Sequence, residues 1–395
     1  MPALDGMRIL DMTQYEAGTS CTQALAWFGA DVVKVERPDV GDPGRGRAYR
    51  QDDSDYFLVW NSNKRSIAID LEKPAGRDLL LKMLPQYDVF VENYGPGVIE
   101  KLDLGYDVMK AIHPEVIYAR LKGFGTSGPY ADYKCFDMVA QAAAGAFSIT
   151  GEADGPPMRP GPTTGDAGTG VQLALAITAA YAQKMRTGVG QLIEISMQEA
   201  MTYYLRTAIA GTQGGQSVAG RSGNGAGPIV NIYPCDPHGP NDYIYIMAVT
   251  PRMWQSLCHA MERPDLLEDE RFVGGRERHA NREALRQEIS DWTSQRSKQD
   301  AMRILAAGGV PASAVLDSVD LFSDPHLHER GFIQSVEHET RGPQTMLGWP
   351  ARLSESEVPM QAAPLLGKHS DEVIAADLSL SEQEIAALHD EGIIG

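Results

Sequence analysis

Between Met7 and Leu121, short β-branched and aliphatic runs alternate with helix-period segments, and this alternation restricts the chain to a mostly parallel sheet covered by helices on both faces. The pattern predicts strands at Met7 to Leu10, Asp31 to Val35, Ser66 to Ile69, Asp88 to Val91 and Val116 to Leu121. Between them it predicts helices at Thr19 to Phe28, Pro74 to Leu84 and, shorter, near Val98 to Lys101. In such a doubly wound sheet ligands sit beyond the carboxyl ends of the strands. The loops Thr13 to Gly18, Arg37 to Arg50, Glu92 to Gly97 and Lys122 to Gly128 should therefore converge on one crevice. No Gly-x-Gly-x-x-Gly follows the first strand, so a nicotinamide dinucleotide is not the expected ligand.

Further on, Cys135 to Phe147 and Val171 to Met185 read as helices, Gln191 to Ile195 as a strand, and Gln198 to Ala210 as a helix. The composition then changes, with seven glycines in the 18 residues from Gly211 to Pro228. That stretch predicts a mobile loop or domain boundary. Asp242 to Ala248 alternates like a strand, and Arg252 to Arg303 is mostly helical. We expect a large Rossmann-like domain over 1–210, a glycine-rich linker over 211–228, a smaller α+β domain over 229–311, and a C-terminal return to the large domain over 312–395.

Lysine and arginine total 35 against 53 acidic residues, a net charge of −18 that disfavours a nucleic-acid partner and requires any site for an anion to be locally basic. No apolar stretch approaches the roughly 20 residues that cross a bilayer. The start MPALDGMRIL lacks the basic and long apolar regions of a signal peptide, which predicts a cytoplasmic protein without a membrane partner. Cys21, Cys135, Cys235 and Cys258 form no Cys-x-x-Cys pair, and His326 and His328 would face different sides of a helix, so no metal site is expected.

The residue of most chemical interest is Asp166. It stands in Gly165-Asp166-Ala167-Gly168-Thr169-Gly170, directly before the apolar helical run at Val171. Aspartate there could cap the free amides of the helix. Glycines also let a substrate approach closely, so the same carboxylate could attack a carbonyl. Both readings stand on this segment alone.

Read in order, Leu4-Asp5-Gly6-Met7-Arg8-Ile9-Leu10-Asp11, Ala17-Gly18 and Phe28-Gly29-Ala30-Asp31-Val32-Val33-Lys34-Val35-Glu36 resemble the start of the family III CoA-transferases, also called the CaiB/BaiF family. The resemblance continues through Asn63-Lys64-Arg65-Ser66-Ile67, Val91-Glu92-Asn93-Tyr94-Gly95-Pro96-Gly97, Gly123-Phe124-Gly125 with Gly128-Pro129, and Phe136-Asp137-Met138-Val139-Ala140-Gln141. It ends at Ala363-Pro364-Leu365-Leu366-Gly367-Lys368-His369-Ser370-Asp371-Glu372, so nearly the whole chain is covered. Within the family, Asp11-Met12-Thr13 and Cys21-Thr22-Gln23 look closest to the formyl-CoA:oxalate branch. Glu16 stands where that branch carries glutamine, which puts oxalate specificity in doubt.

The resemblance implies that Asp166 is the catalytic nucleophile, forming aspartyl anhydride and aspartyl-CoA intermediates, with coenzyme A as a substrate and no prosthetic group. It also implies that Glu16, Ala17 and Phe136 line the active site and that Gly223, Asn224, Gly225 and Gly227 form a lid. Tyr15, Arg37, Lys73, Asn93, Tyr94 and Lys101 match CoA-binding positions. Arg45, Arg47, Lys64 and Arg65 add local positive charge, although each alone reads more readily as a solvated surface group. The partners implied are an acyl-CoA and a small carboxylic acid. The assembly implied is an interlocked homodimer, with a heteromer containing a paralogous subunit as the alternative. Acyl-CoA racemases share the fold but carry a histidine before the aspartate where this chain has Phe136-Asp137, which argues against a two-base mechanism. The other alternative is a CoA-binding subunit of a heteromeric enzyme such as a benzylsuccinate CoA-transferase. The donor and acceptor acids are not legible in the sequence.

Overall fold

A computed structural model describes residues 1–47, 49 and 52–395. The chain divides into two compact units, one of residues 1–147, 159–217 and 330–395, the other of residues 148–158 and 218–329. The boundary at 217/218 falls within the glycine-rich segment, and residues 312–329 belong to the second unit.

The first unit holds a six-stranded, wholly parallel sheet. Its elements are β1 (Arg8–Met12), α1 (Ala17–Ala26), β2 (Asp31–Glu36), α2 (Asp55–Trp60), β3 (Arg65–Ala68), α3 (Pro74–Met83), β4 (Val89–Glu92), α4 (Val98–Lys101), α5 (Tyr106–Ile112), β5 (Ile117–Lys122), α6 (Asp137–Ala143), α7 (Thr169–Thr187), β6 (Leu192–Ser196) and α8 (Met197–Tyr204). The strand order β3-β2-β1-β4-β5-β6 is that of a doubly wound sheet, whose direction of winding reverses between β1 and β4.

Successive strand residues point to opposite faces, and both faces are apolar. Leu10, Val33, Phe90 and Tyr118 pack into one buried cluster, while Ile9, Val32, Val89, Val91 and Ile117 pack into another with Leu25 of α1 and Leu173 of α7. This two-sided burial is why the central strands read as continuous aliphatic runs. The C-terminal segment joins the first unit through Asp70 N–H to Ile393 C=O (2.8 Å) and Ser66, whose N–H meets Nδ1 of His369 (3.2 Å).

The expected helix over 135–147 is shorter, because Gly145 adopts a left-handed φ of 92° and ends the helical run after α6. The expected helix over 198–210 breaks at Leu205 into α8 and a further turn, Arg206–Ile209. Helices α2 and α5, each one to two turns long, were not anticipated. The second unit is α+β, with strands Asn231–Pro234, Tyr243–Ile246 and Ala312–Ala314 forming an antiparallel sheet. Helices Pro251–Ala260, Arg282–Thr293 and Lys298–Ala307 pack on it through Trp254, Leu257, Leu285, Ile289 and Leu305. Among the described residues no helix is long and apolar enough to cross a membrane.

Arg45 and Lys64 are wholly buried ion pairs rather than solvated charges. The Arg45 guanidinium donates to Glu36 (2.6 and 2.7 Å) and Asp53 (2.5 Å) and lies 3.7 Å over the ring of Phe57, while Lys64 pairs with Asp11 at 3.0 Å. Removing the cation strips buried Glu36 of its ion-pair partner, while Asp53 keeps only Arg47. We expect Arg45→Met to destabilise the full chain by about 3–5 kcal/mol in urea unfolding, whereas a loss under 1 kcal/mol would mean the acids are neutral.

Candidate active site

Asp166 is carried by a single wide turn, Thr164–Gly168, that runs directly into α7. Two glycines make this turn possible. A Cβ on Gly165 would stand 2.7 Å from both the carbonyl and the carboxylate of Asp137, and one on Gly170 would stand 2.1 Å from the Ser20 hydroxyl, so α1 and α7 approach backbone to side chain. The Asp166 N–H donates to Asp137 Oδ1 (3.0 Å), and Gln141 in turn donates to Asp137 Oδ2 (2.8 Å). Ala167 N–H is taken by Thr163 C=O (2.9 Å). Among the described residues the Asp166 carboxylate makes no capping hydrogen bond, so the helix-cap reading fails.

Glu16, at the head of α1, is buried next to this turn. It accepts hydrogen bonds from the hydroxyls of Thr163 and, at 3.4 Å, Tyr56. Burial, reinforced by the charges of Glu16 and Asp137, raises the Asp166 pKa to about 7. Burial also raises Glu16, the Thr163 hydrogen bond opposing it and the charge of Asp137 adding to it. The Tyr56 hydroxyl is pushed up by burial and by the Glu16 and Asp166 charges. Three carboxylates thus crowd one turn, and the exposed edge of the group is Asp166.

Asp166 opens onto a cavity of about 280 Å³ at the carboxyl ends of β1, β4 and β5, where the winding of the sheet reverses. Five other residues expected at the site, Tyr15, Ala17, Asn93, Tyr94 and Phe136, line the same cavity. Tyr15 meets Phe136 edge to face, with ring centroids 5.9 Å apart. Tyr133, Lys134 and Cys135 also line it, although they lie outside the loops expected to converge there. Lys134 and Cys135 stand just before Phe136, and that adjacency was the available signal. Tyr56 was missed with its helix, α2.

The cavity walls do not include Arg37, Lys73 or Lys101. Arg37 is exposed, 3.6 Å from Glu72. The Lys73 ammonium donates to the carbonyls of Glu391 (2.7 Å) and Gly392 (2.9 Å), and Lys101 is exposed at the end of α4. Arg47 and Arg65 pair with Asp53 and Asp31. In the expected loop from Arg37 to Arg50, residues 48 and 50 lie outside the described residues. Gly223, Asn224, Gly225 and Gly227 belong to the second unit. There Gly223 N–H donates to Gly151 C=O (2.9 Å), and Arg221 donates to the carbonyls of Ser148, Glu152 and Gly155.

A family model described as CoA-transferase family III matches residues 4–370. The chain is 38% identical over 418 residues to a formyl-CoA:oxalate CoA-transferase of Rhodopseudomonas palustris (strain BisA53), spanning 99% of this chain and 97% of the relative. It is also 38% identical over 410 residues to one of Streptomyces coelicolor, spanning 99% of each. Among solved structures, a CaiB/BaiF family protein from Brucella suis matches with a TM-score of 0.84 at 30% identity, over 95% of this chain and 99% of that one. A Mycobacterium tuberculosis protein matches at 0.80 and 28% identity, over 94% and 98%.

Proposed function

The chain belongs to CoA-transferase family III, and from that premise we propose that it moves CoA from an acyl-CoA thioester to a carboxylic acid through covalent intermediates on Asp166. The observation that carries this reading is the uncapped Asp166 carboxylate opening onto the cavity at the β1/β4 reversal. A carboxylate oxygen attacks the thioester carbonyl, the C–S bond breaks, and a mixed anhydride and CoA thiolate result. The thiolate attacks the aspartyl carbon of the anhydride, releasing the donor acid and leaving an aspartyl-CoA thioester. The acceptor carboxylate attacks that carbonyl, displaces the thiolate and forms a second anhydride. The thiolate then takes the acceptor acyl group and frees Asp166. Every nucleophile attacks as an anion, so no general base takes part in the attack and no resident prosthetic group is invoked.

In this reading Tyr15, Asn93 and Tyr94 contact the CoA arm, and Arg37, Lys73 and Lys101 serve its phosphates. Glu16, Ala17 and Phe136 border the reacting acyl group. In this reading Gly223, Asn224, Gly225 and Gly227 form the lid that keeps water from the intermediates. The enzyme acts in the cytoplasm as an interlocked homodimer. The donor thioester and acceptor acid named for its relatives, formyl-CoA and oxalate, are the first pair to assay, with succinyl-CoA and several small acceptor acids alongside. A new CoA thioester resolved by liquid chromatography supports the reading, and none across the panel contradicts it.

Arg37→Ala should weaken CoA binding by about tenfold in calorimetry without lowering the melting temperature, the usual worth of one charge-assisted contact. Unchanged affinity would remove Arg37 from the phosphate site.

A further inference from the structure

In the turn that follows β1, a side chain holds every main-chain N–H and C=O of three consecutive residues. Asp11 accepts from Thr13 N–H (2.9 Å), and the Lys34 ammonium donates to Thr13 C=O (2.6 Å). The Asn93 amide accepts from Gln14 N–H (2.8 Å) and donates to Gln14 C=O (2.9 Å). Asp42 Oδ1 accepts from Tyr15 N–H (3.1 Å), and the Thr19 hydroxyl donates to Tyr15 C=O (2.5 Å). A turn secured this completely has one backbone geometry.

That geometry is costly where Tyr15 stands. Its φ is 59°, in the left-handed region that a residue with a Cβ disfavours, and such a conformation persists only where its surroundings impose it. The partner of the Tyr15 N–H is itself immobilised. Asp42 is buried, its Oδ2 lies 2.8 Å from the Lys34 ammonium, its Oδ1 also accepts from Gly44 N–H (2.7 Å), and its own N–H donates to Glu36 (2.9 Å). Tyr15 as a residue, by contrast, is 41% exposed, and Phe136, whose ring it meets edge-on, is 63% exposed. Both rings line the cavity onto which Asp166 opens.

We propose that Asp42 is a positioning residue for the transfer reaction: held by Lys34, it fixes the Tyr15 backbone and so sets the Tyr15–Phe136 aromatic wall against which the thioester is aligned to Asp166. The inference rests on the transferase reading. It differs from a capping or counter-ion role for Asp42, which would affect folding but not the alignment of a bound thioester.

The test compares neutral double variants, so that neither leaves a lone buried charge. Lys34→Met with Asp42→Asn keeps an oxygen acceptor for Tyr15 N–H, and Lys34→Met with Asp42→Ala removes it. We expect kcat to be about tenfold lower in the second than in the first, with the Kd for a nonreactive CoA thioether changing less than twofold. When both are rebuilt on Tyr15→Gly, which tolerates the φ and lacks the ring, the difference should shrink below twofold. A tenfold difference that persists without the Tyr15 ring, or no difference with it, overturns the proposal. Tyr15→Gly alone leaves the buried pair intact and so covers the case in which a double variant does not fold. Wild-type kcat in that variant also overturns the proposal. No transfer by the wild-type chain overturns this inference together with the transferase reading.

Discussion

Asp166→Ala should lower CoA transfer by about four orders of magnitude or more while CoA still binds. The magnitude follows from what the carboxylate supplies. Attack by a tethered nucleophile replaces a bimolecular encounter between two anions, and orientation alone is worth about 7–11 kcal/mol of barrier. Once the covalent route is lost, no other group at the turn stands in. Asp137 is occupied by the Asp166 N–H and by Gln141, and Glu16 by two hydroxyls. The variant should also fold at least as well as the wild type, because it removes one of three crowded carboxylates. Loss of transfer with an unchanged CoA Kd and an unchanged or higher melting temperature therefore identifies a chemical role. Loss of all three together would identify a structural one, and retained transfer would end the account of Asp166 as nucleophile.

Acidification should silence the enzyme near neutrality rather than at the pH where ordinary aspartates titrate. Asp166 is the attacking group and must be ionised, and its pKa stands at about 7, through burial first and then the charges of Glu16 and Asp137. Below that value kcat/KM should fall about tenfold per pH unit, with an apparent midpoint that belongs to the carboxylate cluster as a whole. Glu16→Gln removes one repelling charge and should move this limb to lower pH, and a limb that stays in place would show that Glu16 does not act on Asp166.

The same shift has a stability consequence of defined sign. Between about pH 4 and 7 the unfolded chain has released the Asp166 proton and the folded chain has kept it, so the folded state binds more protons and stability falls as pH rises. Above about pH 7 the full cost is present, about 2 kcal/mol once partial exposure is discounted. Asp166→Asn should accordingly raise stability over the wild type at pH 8, with the gap closing as pH approaches 4. An equal gap at both pH values would mean the carboxylate is not destabilised by ionisation.

The sheet was legible because its strands are buried on both faces, which makes Val32, Val33, Val89, Phe90 and their neighbours unbroken aliphatic runs. Asp166 was legible as a candidate because few residues other than glycine fit the contacts around positions 165 and 170. Its escape from capping was not, since that depends on Asp137 and Thr163 claiming the first amides of the turn. Helix α2, which carries Tyr56, spans Asp55–Trp60 and is too short for a periodic signal. Arg45 and Lys64 look like surface cations in sequence, because the acids that bury them, Glu36, Asp53 and Asp11, lie on other elements and become neighbours only in the fold. The use of the Asn93 amide to hold Gln14 is likewise a contact between the loops that follow β4 and β1, 79 positions apart.

The most direct test of the covalent account is intact-protein mass spectrometry of the chain mixed with a donor acyl-CoA, succinyl-CoA and formyl-CoA first, with Asp166→Ala in parallel and hydroxylamine as a trap. The account predicts a CoA-sized mass increase on the wild type that hydroxylamine converts to an aspartyl hydroxamate at residue 166 and that the variant lacks. A wild-type chain that turns over substrate with no adduct, or an adduct of equal yield on Asp166→Ala, would contradict it.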